Sequence, residues 1–207
     1  SYDPGRFAWS RDVIGGIVQG FADSGLKQGV DYQMVSKTMA VLTHKTPKQM
    51  EARANQILAD IRDRKPDLVI TADDDALKWV GLKLDDMPVV FNGVNGDPGR
   101  YLSSDKIDSL KKPGHNLTGV YQTTYYKQSL LLAKKLVPSA RTFATITDKT
   151  TTGKTLLNNL ETVDDASLPL KWKESFVSDQ FSQWEEKIKA WQDQVDVVFL
   201  LCANAVL

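Results

Sequence analysis

The chain has 207 residues, equal numbers of basic and acidic side chains, and 42% hydrophobic residues. That is enough apolar material for one large domain or for two lobes of roughly 100 residues each. Zero net charge argues against nucleic acid as the main partner, because neutralising phosphates takes a basic surplus.

Trp9 to Leu26 reads as a helix, with Val13, Ile14, Ile17, Val18 and Phe21 at helical spacing and Gly25 near its stop. Asp31 to Leu42 has β-type character, carried by Tyr32, Met34 and Val35. A second helix spans Pro47 to Arg64, capped by Thr46 and ended by Lys65-Pro66. Leu68 to Thr71 is then a buried strand, Asp74 to Lys83 a short helix and Val89 to Phe91 the next strand. Asn92 to His115 is polar, with two Gly-rich turns, and reads as loop or short helix. Leu117 to Tyr121 is a further strand, followed by a helix over Tyr125 to Leu136 that Pro138 ends. A second cycle follows: strand Phe143 to Thr147, helix Thr155 to Val163, strand Trp172 to Val177, helix Gln180 to Asp193 and a buried strand Val197 to Cys202. In the last helix Phe181, Trp184, Ile188 and Trp191 form one stripe.

This alternation predicts an α/β fold whose parallel sheets are flanked by helices. It divides into an N-terminal lobe over 1–121, a hinge-proximal helix and crossover over 122–140, and a partial C-terminal lobe over 141–207. The second lobe reads as incomplete. A chain whose last element is a buried strand is expected to continue into closing helices, and Ser1-Tyr2 fits the end of an earlier strand. The opening Ser1-Tyr-Asp-Pro-Gly carries no basic-then-apolar leader. The longest apolar run, Val197 to Ala203, is far short of the ~20 residues that a membrane span needs.

Two strands run straight into polar turns: Leu68-Val-Ile-Thr71 into Ala72-Asp73-Asp74-Asp75, and Val89-Val-Phe91 into Asn92-Gly93-Val94-Asn95-Gly96. In an open parallel sheet, ligands bind just beyond the carboxyl ends of the strands. The three acids suit the positive end of a helix, where Asp73 or Asp74 would serve as the cap. They also suit a ligand amine. Asn92-Gly93 is a turn signal, and a turn there presents free backbone N–H groups. A third turn, Thr150-Thr-Thr-Gly153-Lys-Thr155, imitates the end of a nucleotide P-loop. The pattern needs a glycine where Asp148 stands, which argues against phosphate chemistry. Its hydroxyls and N–H groups remain able to cap a helix and to hold a carboxylate or another small anion. Nothing points to catalysis, a cofactor or a metal. His44 and His115 are the only histidines and lack ligand spacing, and no G-x-S-x-G elbow is present. Cys202 is the only cysteine, so no intrachain disulfide can form; it reads as a small buried hydrophobe. Tyr2, Phe7, Trp9, Tyr121, Tyr125 and Tyr126 flank strand ends or helix starts, where they pack or face an aromatic ligand.

Ser1-Tyr-Asp-Pro-Gly with Trp9, Pro66-Asp-Leu-Val-Ile-Thr71, Met87-Pro-Val-Val-Phe91, Asn116-Leu-Thr-Gly-Val120 and the helix ending Leu136-Val-Pro138 recur in that order in a known family. Through them the chain resembles the TrpX-like substrate-binding proteins of ABC transporters, which have the type I periplasmic-binding-protein fold. Asp73-Asp-Asp75-Ala, Phe91-Asn-Gly-Val-Asn95 and Asp148-Lys-Thr150-Thr-Thr152-Gly-Lys154 resemble one subgroup more closely, with Asp75 where an Asn is usual. The resemblance implies two lobes closing by a hinge around a small amino acid-like or aromatic solute. It implies contacts from Ser1, Tyr2, Thr71, Asp73, Asp74, Asn92 and Asn95, and from Tyr121, Asp148, Thr150, Thr152 and Asn204. It further implies a periplasmic or extracytoplasmic location, a membrane permease as partner and no enzymatic activity. Related modules serve as sensor domains of histidine kinases and diguanylate cyclases, so ligand sensing is the alternative role.

Overall fold

The computed structural model describes residues 2–95, 106–109 and 111–206. Ser1, Leu207 and, in the predicted loop, residues 96–105 and Leu110 lie outside the described residues. The chain divides into two compact units, Ser1–Tyr121 and Gln122–Leu207.

The first unit contains α1 (Ala8–Asp23), α2 (Pro47–Arg64), β1 (Val69–Ala72), α3 (Asp74–Trp79), a 3-10 turn at Gly81–Lys83, β2 (Val89–Val94) and β3 (Leu117–Tyr121). β2 lies in the centre, paired in parallel with β1 and β3. The α2 start follows from its sequence. Thr46 and Gln49 form a reciprocal capping box around Pro47, and Lys65 ends the helix in a left-handed conformation before Pro66. The helix buries Met50, Ala54, Ile57, Leu58 and Ile61 against Leu77, Val89, Phe91 and Leu117. Each such aliphatic side chain contributes roughly 1.5–3 kcal/mol when fully buried.

The 31–42 segment forms no named strand. Gln28 and Tyr32 make an isolated bridge. Beyond it, Arg53 Nε donates to Thr38 O at 2.8 Å, and Ala40, with φ 48°, turns the chain. Side-chain and turn bonds here replace a strand ladder, while Met39 plugs the core.

The Asn-Leu-Thr-Gly motif has a packing reason. Asn116 Nδ2 donates to Leu84 O at 2.7 Å and to Met87 O at 2.6 Å, fixing the approach to β2. Gly119 pairs with Phe91, and a Cβ on it would fall 2.1 Å from Phe91 O and 2.5 Å from the Phe91 ring.

The second unit contains α4 (Tyr126–Leu136), β4 (Thr142–Thr147), α5 (Thr151–Glu161), a 3-10 turn at Asp165–Ser167, β5 (Lys171–Val177), α6 (Phe181–Trp191) and β6 (Val197–Cys202). Its parallel sheet runs β5-β4-β6. One face packs Phe143 with Tyr126, Leu130 and Leu160 of α4 and α5. The other packs Ala144 and Ile146 with Trp184 and Trp191 of α6.

Three expectations change here. α5 begins four residues before the predicted Thr155, because Thr150 accepts the Gly153 N–H and caps it there. Of the predicted α6 stripe, Trp184 and Trp191 are buried, whereas Phe181 and Ile188 are exposed. β6 is buried on one face only: Val197, Phe199 and Leu201 join the core, and Val198 and Leu200 are exposed. An alternating strand of uniformly apolar residues cannot reveal from sequence that only one face is covered.

Gly119→Ala is expected to destabilise the first unit by roughly 2–3 kcal/mol or more, as overpacking against backbone. Urea titration checks it, with Val120→Ala, at an exposed neighbour, as the near-neutral comparison.

Candidate functional site

At the carboxyl ends of β1 and β2, the chain brings Thr71, Asp73, Asp74, Asn92 and Asn95 together. The registers place Thr71 beside Phe91 and Ala72 beside Asn92, and the Asp73 N–H donates to Asn92 O at 2.9 Å. Asp73 caps α3 through Oδ1, which accepts the Asp74 N–H at 2.7 Å. Its backbone lies at φ 84°, ψ 159°, a region that a residue with a side chain enters only under strain of roughly 1–3 kcal/mol.

The predicted Asn92-Gly93 turn is not a turn. β2 continues to Val94 through a bulge, its register shifting between Phe91 and Val94. Gly93 sits in that bulge at φ 66°, and a Cβ on it would lie 2.6 Å from Trp9 Cη2 and 3.4 Å from the Asp73 nitrogen. The bulge thus lets the Trp9 indole rest on β2 next to the acidic turn. Trp9 stood among the flanking aromatics in the sequence but not among the contact residues. Only the unusual Asn-Gly inside an apolar strand hinted at it.

The three acids, all buried, differ sharply in their surroundings. Asp74 is spent on structure: Oδ1 accepts the Asn95 N–H at 3.0 Å, and Oδ2 accepts Asn95 Nδ2 at 2.8 Å. Asp73 has an oxygen to spare. Among the described residues, Asp73 Oδ2, Thr71 Oγ1 and Asn92 Oδ1 are buried atoms with no hydrogen-bond partner. Leaving such atoms unpaired costs about 1–3 kcal/mol each; the register puts Thr71 on the sheet face that Phe91 shares and Asn92 on the other. Burial, reinforced by the neighbouring Asp74 charge, pushes the Asp73 carboxyl up from 3.8 to about 7.

The first unit's aromatic residues mostly pack against one another. Tyr2 stacks on Phe7 at 4.5 Å, and Tyr121 tilts against Phe91 at 4.8 Å. In the second unit Tyr125 is exposed, whereas the buried Tyr126 donates its hydroxyl to Leu156 O at 2.8 Å.

Asp148, Thr150, Thr152 and Asn204 gather at the carboxyl ends of β4 and β6. Asp148 is fully buried. Its Oδ1 accepts the Thr150 N–H at 3.1 Å and the Thr150 hydroxyl, and its Oδ2 accepts the Ala205 N–H at 2.8 Å. The Cys202 thiol approaches the same Oδ2 at 3.7 Å. Burial pushes that thiol up to about 11, so it is a packed, protonated group. A carboxylate does sit beside the first turn of α5, and it is the protein's own. Thr152 lies half-buried in that turn, and Asn204 lies in the turn after β6. Among the described residues no three His, Cys, Asp or Glu side chains could hold a metal ion. His44 Nδ1 lies 3.1 Å from Met39 O, and His115 Nε2 lies 3.5 Å from Asp108 Oδ1.

The profile of a family described as ABC transporter substrate binding protein matches residues 10–167. A search of curated proteins returns no match. Among solved structures, the chain is similar to a conserved domain protein from Vibrio cholerae O1 biovar El Tor strain N16961, with 20% identity over 89% of this chain and 58% of that one, TM-score 0.67. It is similar to an ABC domain from Streptococcus pneumoniae in complex with L-Trp, with 20% identity over 90% and 58%, TM-score 0.63. It is also similar to a ligand-free, open substrate-binding protein with adhesive properties from Clostridium difficile, with 19% identity over 90% and 59%, TM-score 0.58. At these identities the likeness shows the fold, and the chain spans less than two thirds of the length of each.

Two outcomes are expected from the carboxylates. Asp73 binds its proton more tightly folded than unfolded, so its contribution to stability is lost as pH rises from about 4 to about 7. Asp73→Asn should therefore gain stability over the parent between pH 5 and pH 8, which melting curves across that range check. Asp148→Ala should destabilise the second unit by about 2–3 kcal/mol by orphaning the Thr150 and Ala205 N–H groups, as measured by denaturant titration.

Proposed function

The chain belongs to the ABC transporter substrate-binding protein family, and we propose that it binds a small amino acid-like or aromatic solute and hands it to a membrane permease outside the cytoplasm. The observation that carries this reading is the set of unpartnered buried atoms at the ends of β1 and β2: Thr71 Oγ1, Asp73 Oδ2 and Asn92 Oδ1. A buried carboxylate oxygen left unpaired at a strand end, where α/β sheets take their ligands, is a group that a bound solute would satisfy. Asp74 and Asn95 serve it by holding the shape of the turn. In the second unit, Thr150, Thr152 and Asn204 line the corresponding strand-end turn, with Asp148 as their internal support. Tyr2, Tyr121 and the Trp9 indole supply apolar surface for the rest of the solute.

Binding without turnover fits the site. In the second unit the fully engaged Asp148 and the packed Cys202 offer neither a free base nor a nucleophile, and in the first Asp73 Oδ2 bonds no nucleophile among the described residues that it could activate. The pneumococcal structure holds L-Trp, so aromatic amino acids lead the set of compounds to try. A panel of amino acids, aromatic amines and neutral aromatics, screened by thermal shift and then calorimetry, should return a binder that is recovered unchanged. Asn92→Ala should weaken that binder by about tenfold or more, the worth of one hydrogen bond to a charged group, with the fold intact by circular dichroism. A panel with no binder, or a binder indifferent to Asn92, would defeat the proposal.

A further inference from the structure

Asp73 is the one member of the acidic turn whose geometry leaves a buried oxygen to a ligand. Its side chain is 3% exposed, Oδ1 is committed to the Asp74 N–H, and Oδ2 has no partner among the described residues. The charged side chains acting on it are Asp74 and Asp75, on its own turn. β1 and β2 bring Thr71 and Asn92 to this end of the sheet, and α1 brings Trp9 onto Gly93, none of which ionises near neutrality. No lysine, arginine or histidine among the described residues makes a salt bridge with Asp73. A buried carboxylate without a cation is costly, so it holds a proton or meets a positive group from outside. Asn92 follows at the end of the neighbouring strand, where the Asp73 N–H donates to its carbonyl at 2.9 Å, and its Oδ1 is a further buried acceptor of the kind that an ammonium with several N–H groups uses.

We propose that the solute presents a protonated amine to Asp73 Oδ2 and that its arrival displaces a proton from that carboxyl, so that cation uptake and proton release are one exchange. The balance is simple. The carboxyl O–H bond breaks, its proton passes to water, and the carboxylate left behind pairs with the ammonium. No covalent bond to the solute forms, and the charge of the site rises by nothing. This rests on the solute-binding reading above and narrows its ligand to a cation. The raised proton affinity of Asp73 in the unliganded protein places the exchange near neutral pH.

The test uses the chain labelled with carbon-13 at the aspartate carboxyls, with 2-phenylethylammonium as probe and neutral 2-phenylethanol as control. One carboxyl should titrate near neutrality, vanish in Asp73→Asn, and move to acidic pH when the amine saturates the protein. Calorimetry should show amine affinity falling by about tenfold from pH 8 to pH 6, with a proton released to the buffer at pH 6. The alcohol should bind without either effect, and Asp73→Asn should erase the pH dependence. An amine that binds equally at pH 6 and pH 8 with no proton released would overturn the exchange and leave solute binding standing. An amine that binds at neither pH would overturn it too, while a neutral binder from the panel above would preserve the broader function. A panel with no binder at all would remove that function itself.

Discussion

Both units depend on one interaction: a carboxylate just past the end of one parallel strand accepts a backbone N–H from the turn that follows the neighbouring strand. In the first unit Asp74, after β1, holds the Asn95 N–H beyond β2. In the second, Asp148, after β4, holds the Ala205 N–H beyond β6. Parallel strands end with backbone groups that no ladder satisfies, and burying them without partners is expensive. The carboxylates solve this, and each ties together elements far apart in sequence. The shape of each strand-end turn, and therefore whatever it recognises, follows from that bond.

The units differ in what remains after this bond is made. Asp148 spends both oxygens on its own unit, including the hydroxyl and N–H of Thr150, while Thr147 Oγ1 just before it stays unpartnered among the described residues. The first unit has a second acid, Asp73, and keeps one of its oxygens uncommitted at the expense of backbone strain and an elevated proton affinity. Strain and an unsatisfied carboxylate oxygen thus coincide at Asp73, in a unit well packed around β2.

Much of this was legible in the sequence for local reasons. The α/β alternation followed from apolar runs and their punctuation, and α2 could be placed by Thr46, Pro47 and Pro66. The Asn116 and Gly119 motif could be recognised, though not explained, because its cause is the Phe91 ring on a neighbouring strand. What escaped was set by tertiary contacts. The 31–42 segment carries β-type residues but is held by Arg53, a side chain from the following helix. Asn92-Gly93 reads as a turn, yet the sheet extends through it because Trp9 occupies the space that a side chain would take. That Asp74 rather than Asp73 is the engaged carboxylate also lies beyond any local pattern, since Asn95 binds both Asp74 oxygens from 21 residues away.

The contact between Trp9 and Gly93 has an optical consequence. The indole rests against Gly93, next to the Asp73 amide, at the edge of the turn whose carboxyl has the raised proton affinity. Indole emission responds to nearby charge; of the other four tryptophans, Trp172, Trp184 and Trp191 lie in the other unit, and Trp79 ends α3 beside Lys78 and Lys83. With Trp79 replaced by Phe, Trp9 is the first unit's one fluorophore, placed beside the acidic turn, so that emitted light reports on that turn without any label.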